Sequence, residues 1–107
     1  MNQPLLDCLS PERIDQLARR ADVRYGQAIY ARGGVEIIIA TPARVEGWVG
    51  GLTGSVAEGG GQRRCTQLFV TPQGLAWHCA GNPKNHQIFC KHCVALALAI
   101  VDQAAKQ

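Results

Sequence analysis

Charge is scarce in this chain of 107 residues, with Asp, Glu, Lys and Arg making up 18% against roughly 25% in soluble domains. With 47% apolar residues, that shortage excludes a disordered, self-repelling chain, which needs low hydrophobicity and high net charge. Aromatic residues are also few, at 6%, and Trp48, Phe69 and Trp77 are expected to fill the core rather than to stack on bases. No stretch approaches 18 apolar residues free of charge, as a membrane span would require. The leading Met1-Asn2-Gln3-Pro4-Leu5-Leu6-Asp7-Cys8 has neither the basic region nor the apolar run of a secretory signal. A soluble, cytoplasmic chain is expected. Phosphate loop, Gly-x-Ser-x-Gly elbow and His-Glu-x-x-His pair are all missing, and with them the common signatures of nucleotide, acyl-transfer and metalloprotease chemistry. The length supports one modest core and no second lobe, so an enzyme that needs an interdomain cleft is not expected, and one small surface carries the function.

What is present begins with five cysteines. An odd number without an export signal points to reduced thiols or metal ligands rather than a disulfide framework. Eleven basic residues face eight acidic ones, a net charge of +3 and a pI near 8.7, a mild excess that permits nucleic-acid binding without requiring it.

The pattern of the chain predicts an α+β domain in three parts: a helical lead-in over 1–34, an antiparallel β-meander over 35–79, and a metal loop with a C-terminal helix over 79–106. Ser10 is placed to cap a first helix with Pro11 in its first turn, an apolar stripe at Ile14, Leu17 and Ala18, and an end near Arg20. Asp22 is the expected cap of a second helix, stopped by Gly33-Gly34. β-branched and alternating residues then mark strands over 35–41, 44–50, 52–57, 64–70 and 75–79. Val45, Gly47 and Val49 share one face of their strand, and Glu46 and Trp48 the other. The final run from Val94 to Val101 has high helix propensity and is apolar on nearly every side. Such a helix is buried by the sheet and the leading helices, or it covers a partner.

Zinc ligands must converge on a tetrahedron little more than 2 Å from the metal. The strand ending at Cys79 and the helix beginning at Cys90 offer that convergence. Cys90 and His92 flank one residue at a loop-to-helix junction, where both side chains can turn inward, and the unsatisfied amides of the helix start favour a thiolate.

Trp77-His78-Cys79 and, above all, Phe89-Cys90-Lys91-His92-Cys93-Val94-Ala95-Leu96-Ala97-Leu98-Ala99 resemble the end of a SWIM-type zinc finger, whose pattern is Cys-x-Cys, a variable loop, then Cys-x-His. Arg24-Tyr25-Gly26-Gln27-Ala28-Ile29-Tyr30-Ala31-Arg32-Gly33-Gly34-Val35 is similar to the family's leading stretch, and Ala43-Arg44-Val45-Glu46-Gly47-Trp48-Val49 to its first sheet segment. The resemblance implies zinc as cofactor and a C-terminal helix beside a finger-like hairpin. It also implies a non-enzymatic role in binding DNA or a protein partner, often within helicase-like ATPases, transposases or ubiquitin ligases. The chain departs from the pattern at Gly81, which stands where the family has its second cysteine. Cys79, Cys90 and His92 remain, and a closed structural site takes four ligands. His86 is the first candidate for the fourth, since its loop joins the two halves of the site. His78 lies on the opposite strand face from Cys79, Cys93 is expected to pack, and water would leave an open site. Cys8 and Cys65 are expected to be inert thiols.

Three alternatives for function follow. Lys84, Lys91, Arg63 and Arg64 are candidate phosphate contacts if they share a face, which suits a zinc-stabilised module that binds DNA or protein. Cys90-Lys91-His92-Cys93 is also a Cys-x-x-Cys at a helix start, as in thiol–disulfide oxidoreductases. The context opposes this, because an antiparallel meander rather than a βαβ unit leads to it. Val94 at the histidine position rules out the Cys-x-x-Cys-His haem signature. A metal-free scaffold docking through the final helix is the third.

Overall fold

The computed structural model describes residues 4–50, 63–79 and 88–105. Three helices lead the chain, α1 (Pro4–Asp7), α2 (Pro11–Leu17) and α3 (Arg20–Ala31). Four strands follow, β1 (Val35–Thr41), β2 (Arg44–Gly50), β3 (Arg63–Thr71) and β4 (Gly74–Cys79), and then α4 (Lys91–Ala105). The strands form one antiparallel sheet in the order β1-β2-β3-β4. The α+β class, the leading helices, the meander and the C-terminal helix match the sequence expectation. The anticipated strand over 52–57 lies outside the described residues.

The helix starts differ in part from expectation. Ser10 does cap α2, its hydroxyl accepting from the Arg13 amide at 3.2 Å. The helix stops at Leu17 rather than near Arg20, because Ala18 turns to an extended conformation and sinks into the core. Arg19, not Asp22, is the cap position of α3. Asp22 lies in the first turn instead, buried, and its carboxylate accepts from Arg19 Nε at 2.9 Å, which places negative charge at the positive end of the helix. Gly33 ends the helix in the left-handed region at φ 76°. The one-turn α1, not foreseen, buries Leu5 and is tied to the β1–β2 turn by a bond from the Leu5 amide to the Pro42 carbonyl.

Alternation decides what the sheet buries. Val45, Gly47 and Val49 of β2 face inward with Thr66 and Leu68 of β3 and Cys79 of β4. Trp48 lies between two inward residues, so the pleat turns it out. It is 40% exposed, which corrects the expectation that it fills the core. Phe69 and Trp77 are half-buried. A register slip between Ile37 and Ile39 leaves Ile38 and Ile39 exposed at the edge.

α4 is the centre of the domain. Cys93, Val94, Ala95, Leu96, Ala97, Ala99 and Ile100 are all buried, with all four strands against one side and α3 against the other. Val94, Leu96 and Ile100 each contribute about 1.5–3 kcal/mol by leaving water. Among the described residues no helix is long and apolar enough to cross a membrane. The Tyr30 hydroxyl donates to the Asp102 carboxylate, joining α3 to the far end of α4.

Two glycines let neighbours approach α4. A Cβ on Gly47 would meet the Glu36 carbonyl oxygen at 2.7 Å and Leu96 at 3.1 Å. A Cβ on Gly26 would meet Val94 at 2.6 Å and the Lys91 carbonyl oxygen at 2.9 Å. Alanine at position 26 gains about 1 kcal/mol of helix propensity, but overpacking costs about 1–3 kcal/mol and here strikes backbone. Gly26→Ala is therefore expected to destabilise the domain by about 1–2 kcal/mol in chemical denaturation, and an unchanged or raised midpoint contradicts this packing.

Candidate metal centre

Cys79 is the last residue of β4, Cys90 immediately precedes α4, and His92 is its second residue. The 3.6-residue helical turn and the strand pleat explain their convergence only once α4 is docked on the sheet. Trp77 provides the local attachment. Its indole Nε1 donates to the Ile88 carbonyl at 3.2 Å, and its ring meets Phe89 edge-to-face with centroids 5.0 Å apart. Trp77 stands two residues before Cys79, and Phe89 one before Cys90. The clamp thus holds the chain beside the end of β4 just where the Cys90–His92 pair begins.

The Sγ of Cys79 lies 3.4 Å from His92 Nδ1, and the Sγ of Cys90 3.9 Å from the same nitrogen. All three atoms lie within 4.8 Å of one another. This group can hold a metal ion. Both sulfurs are buried, and His92 is half-buried. Thr66, opposite Cys79 in the β3–β4 register, points its hydroxyl at the Cys79 sulfur at 3.8 Å, a supporting contact of the kind that orients ligands. The Cys90 carbonyl accepts from the Val94 amide at 2.9 Å, so Cys90 begins the helix.

Hydrogen bonds from the Cys79 and Cys93 thiols hold the Cys90 thiol well below its ordinary range, with burial opposing and His92 and the Cys93 amide assisting. Cys93 moves the other way, raised by its bond to Cys90, then by burial and by the charge that Cys90 carries.

Of the remaining candidates, Cys93 is fully buried and its Sγ lies 3.8 Å from that of Cys90, yet it falls outside the three-atom group. It is one of the core residues. His78 is exposed and also outside the group. His86, Lys84 and Gly81 lie outside the described residues. Arg63 and Arg64 open β3 opposite Gly50 and Val49. Lys91 is exposed, with its Nζ 5.7 Å above the ring of Tyr25. Cys8 and Cys65 are half-buried and apart from the group. Burial, then the bond and charge of Glu46, raise the Cys65 thiol, consistent with an inert role. Sequence reasoning did not single out Thr66 or the Trp77 clamp; the strand register exposes the first and the return of the loop the second.

A groove of about 220 Å³ lies between α1, the β1–β2 turn and the end of α4, lined by residues such as Leu5, Pro42 and Ile100 and, among the described residues, by no titratable side chain. Comparison with family models, curated proteins and solved structures yields no match.

The depressed Cys90 pKa has a consequence for metal-free protein. A folded-state value below the unfolded one stabilises fully above the ordinary thiol value of 9.0 and progressively less as pH falls. The raised thiols act only above that value. Chelator-treated protein is therefore expected to gain melting temperature between about pH 6 and pH 8.5, and Cys90→Ser to flatten the gain. A flat wild-type profile contradicts the assignment.

Proposed function

We propose that this chain is a non-enzymatic interaction module stabilised by zinc at Cys79, Cys90 and His92, and that its partner is DNA. The convergence of two sulfurs and one imidazole nitrogen carries the metal reading. Zn–S bonds of about 2.3 Å and Zn–N bonds of about 2.0–2.1 Å in a tetrahedron place sulfur and nitrogen about 3.5 Å apart. The separations of 3.4 and 3.9 Å fit those edges. Two soft thiolates with an imidazole suit zinc over the hard oxygen-seeking cations. Bound zinc supplies a cross-link between the end of β4 and the start of α4, with His86 as the candidate that closes the site. The three residues are those of the Cys…Cys-x-His part of the SWIM resemblance, and the metal reading uses that part alone.

Charge supports the choice of DNA. Arg20, Arg24 and Arg32 are exposed along α3 and at its end, and the ion pairs among the described residues are Arg19–Asp22 and Arg44–Glu46. Residues 20, 24, 28 and 31 fall on one outward face at helical spacing. There the two arginines stand beside small alanines, with Tyr25, 61% exposed, and Lys91 alongside. Lys91, its Nζ 5.7 Å above the Tyr25 ring, joins this face, and Arg63, Arg64 and Lys84 are the further candidates from the sequence.

Elemental mass spectrometry on untagged protein is expected to find one zinc per chain. Chelation is expected to lower the melting temperature by roughly 10–20 °C, as loss of about 3 kcal/mol of ligand-linked stability does in a domain of this size. Metal-free protein whose melting ignores chelator would refute the reading and favour the metal-free scaffold. For the partner, fluorescence anisotropy with a labelled DNA duplex is expected to show about three to four phosphate contacts, a log–log salt slope of roughly −3. Arg20→Gln with Arg24→Gln should remove about two units of that slope and leave melting unchanged, and salt-independent binding would argue for a protein partner.

The thiol oxidoreductase alternative draws on the 3.8 Å between Cys90 Sγ and Cys93 Sγ. It requires activity that Cys93→Ala abolishes while Cys79→Ala spares it, the reverse of the metal reading.

A further inference from the structure

Cys90 has two partners that it cannot serve together. Toward His92 and Cys79 its sulfur completes the metal group, and toward Cys93 it faces a thiol at 3.8 Å. We propose that Cys90 and Cys93 form a dithiol oxidised by hydroperoxides, and that the resulting disulfide removes Cys90 from the metal centre. The proposal rests on the metal reading above and adds its regulation.

The geometry permits the bond. Residues three apart at the start of a helix have Cα atoms about 5 Å apart, inside the range of disulfides. The sulfurs need to close by under 2 Å, a side-chain rotation rather than a backbone movement. Cys93 is the only described cysteine that touches a member of the metal group without belonging to it. It is 0% exposed and Cys90 5%, so a small peroxide reaches Cys90 first and a bulky oxidant reaches neither.

The chemistry balances in two steps. The Cys90 thiolate attacks one peroxide oxygen, so that an S–O bond forms and the O–O bond breaks, leaving a sulfenic acid and one water after proton transfer. The Cys93 thiol then attacks the Cys90 sulfur, forming S–S, breaking S–O and releasing a second water. Two thiols lose two electrons and hydrogen peroxide gains them. A disulfide sulfur carries no thiolate charge, so the donor set falls from three to two, and Cys79 with His92 alone is too few for a structural site.

The test uses the full chain with its zinc content measured first. Hydrogen peroxide is added, zinc release is followed with a chromogenic chelator, and the disulfide is mapped after alkylation. Trypsin cuts at Lys91 between the two cysteines, so the bond appears as a cross-link of peptide 85–91 to peptide 92–106. One zinc released per cross-link formed, with alkylatable thiols falling from five to three, is expected. Cys93→Ala, its fold checked by melting, should keep its zinc over the time in which the unaltered chain loses half. Zinc lost with no such cross-link, a bond from Cys79 to Cys90 instead, or equal loss in Cys93→Ala overturns the proposal with the metal centre intact. Absence of zinc before peroxide is added overturns both readings together.

Discussion

The burial of α4 is the constraint on which the rest of the structure depends. A helix whose residues from Cys93 to Ala97 are all buried has no face to offer water, so it must be covered on more than one side. The sheet takes one side and α3 the other. Gly47 of the sheet and Gly26 of α3 present no Cβ where Leu96 and Val94 of α4 approach them. The polar ends of this arrangement are handled locally: the Tyr30 hydroxyl bonds Asp102 near one end of α4, and Lys91 lies over Tyr25 at the other.

Fixing α4 also fixes where its first turn points. Cys90 and His92 arrive at the end of β4 because the helix axis is held by the core and because Trp77 grips Ile88 and Phe89 beside it. The thiol of Cys79, braced by Thr66 from the neighbouring strand, completes the group from the sheet side. A metal bound there would link the sheet to the start of α4. That is the physical sense of the proposed zinc centre, and it explains why the ligands are buried rather than presented to a cleft. The same burial puts Cys93 against Cys90, so a packing residue acquires a chemical opportunity.

Much of this was legible in the residues. The β1 and β2 bounds follow from alternation and from Pro42 between them, and β3 and β4 run within a residue of the pattern. Ser10 and Gly33 act as read, since a cap and a left-handed stop are local matters of hydrogen bonding and φ. Asp22 misled, because an acid in the first turn and an acid at the cap look alike until Arg19 is seen to bond it. Trp48 misled for a different reason: its size suggests burial, but the pleat that turns Val45 and Val49 inward must turn Trp48 out.

By itself, then, the sequence determined the class of fold, the order of its elements and the residue types able to bind a metal, all of which depend on neighbours within a few positions. Only the tertiary structure decided that Cys79, thirteen residues before His92, lies 3.4 Å from its Nδ1, that Cys93 stands beside the group and outside it, and that Lys91 lies over Tyr25 of α3. Those outcomes depend on how a fully apolar helix is held between a sheet and another helix, and no local pattern carries that information.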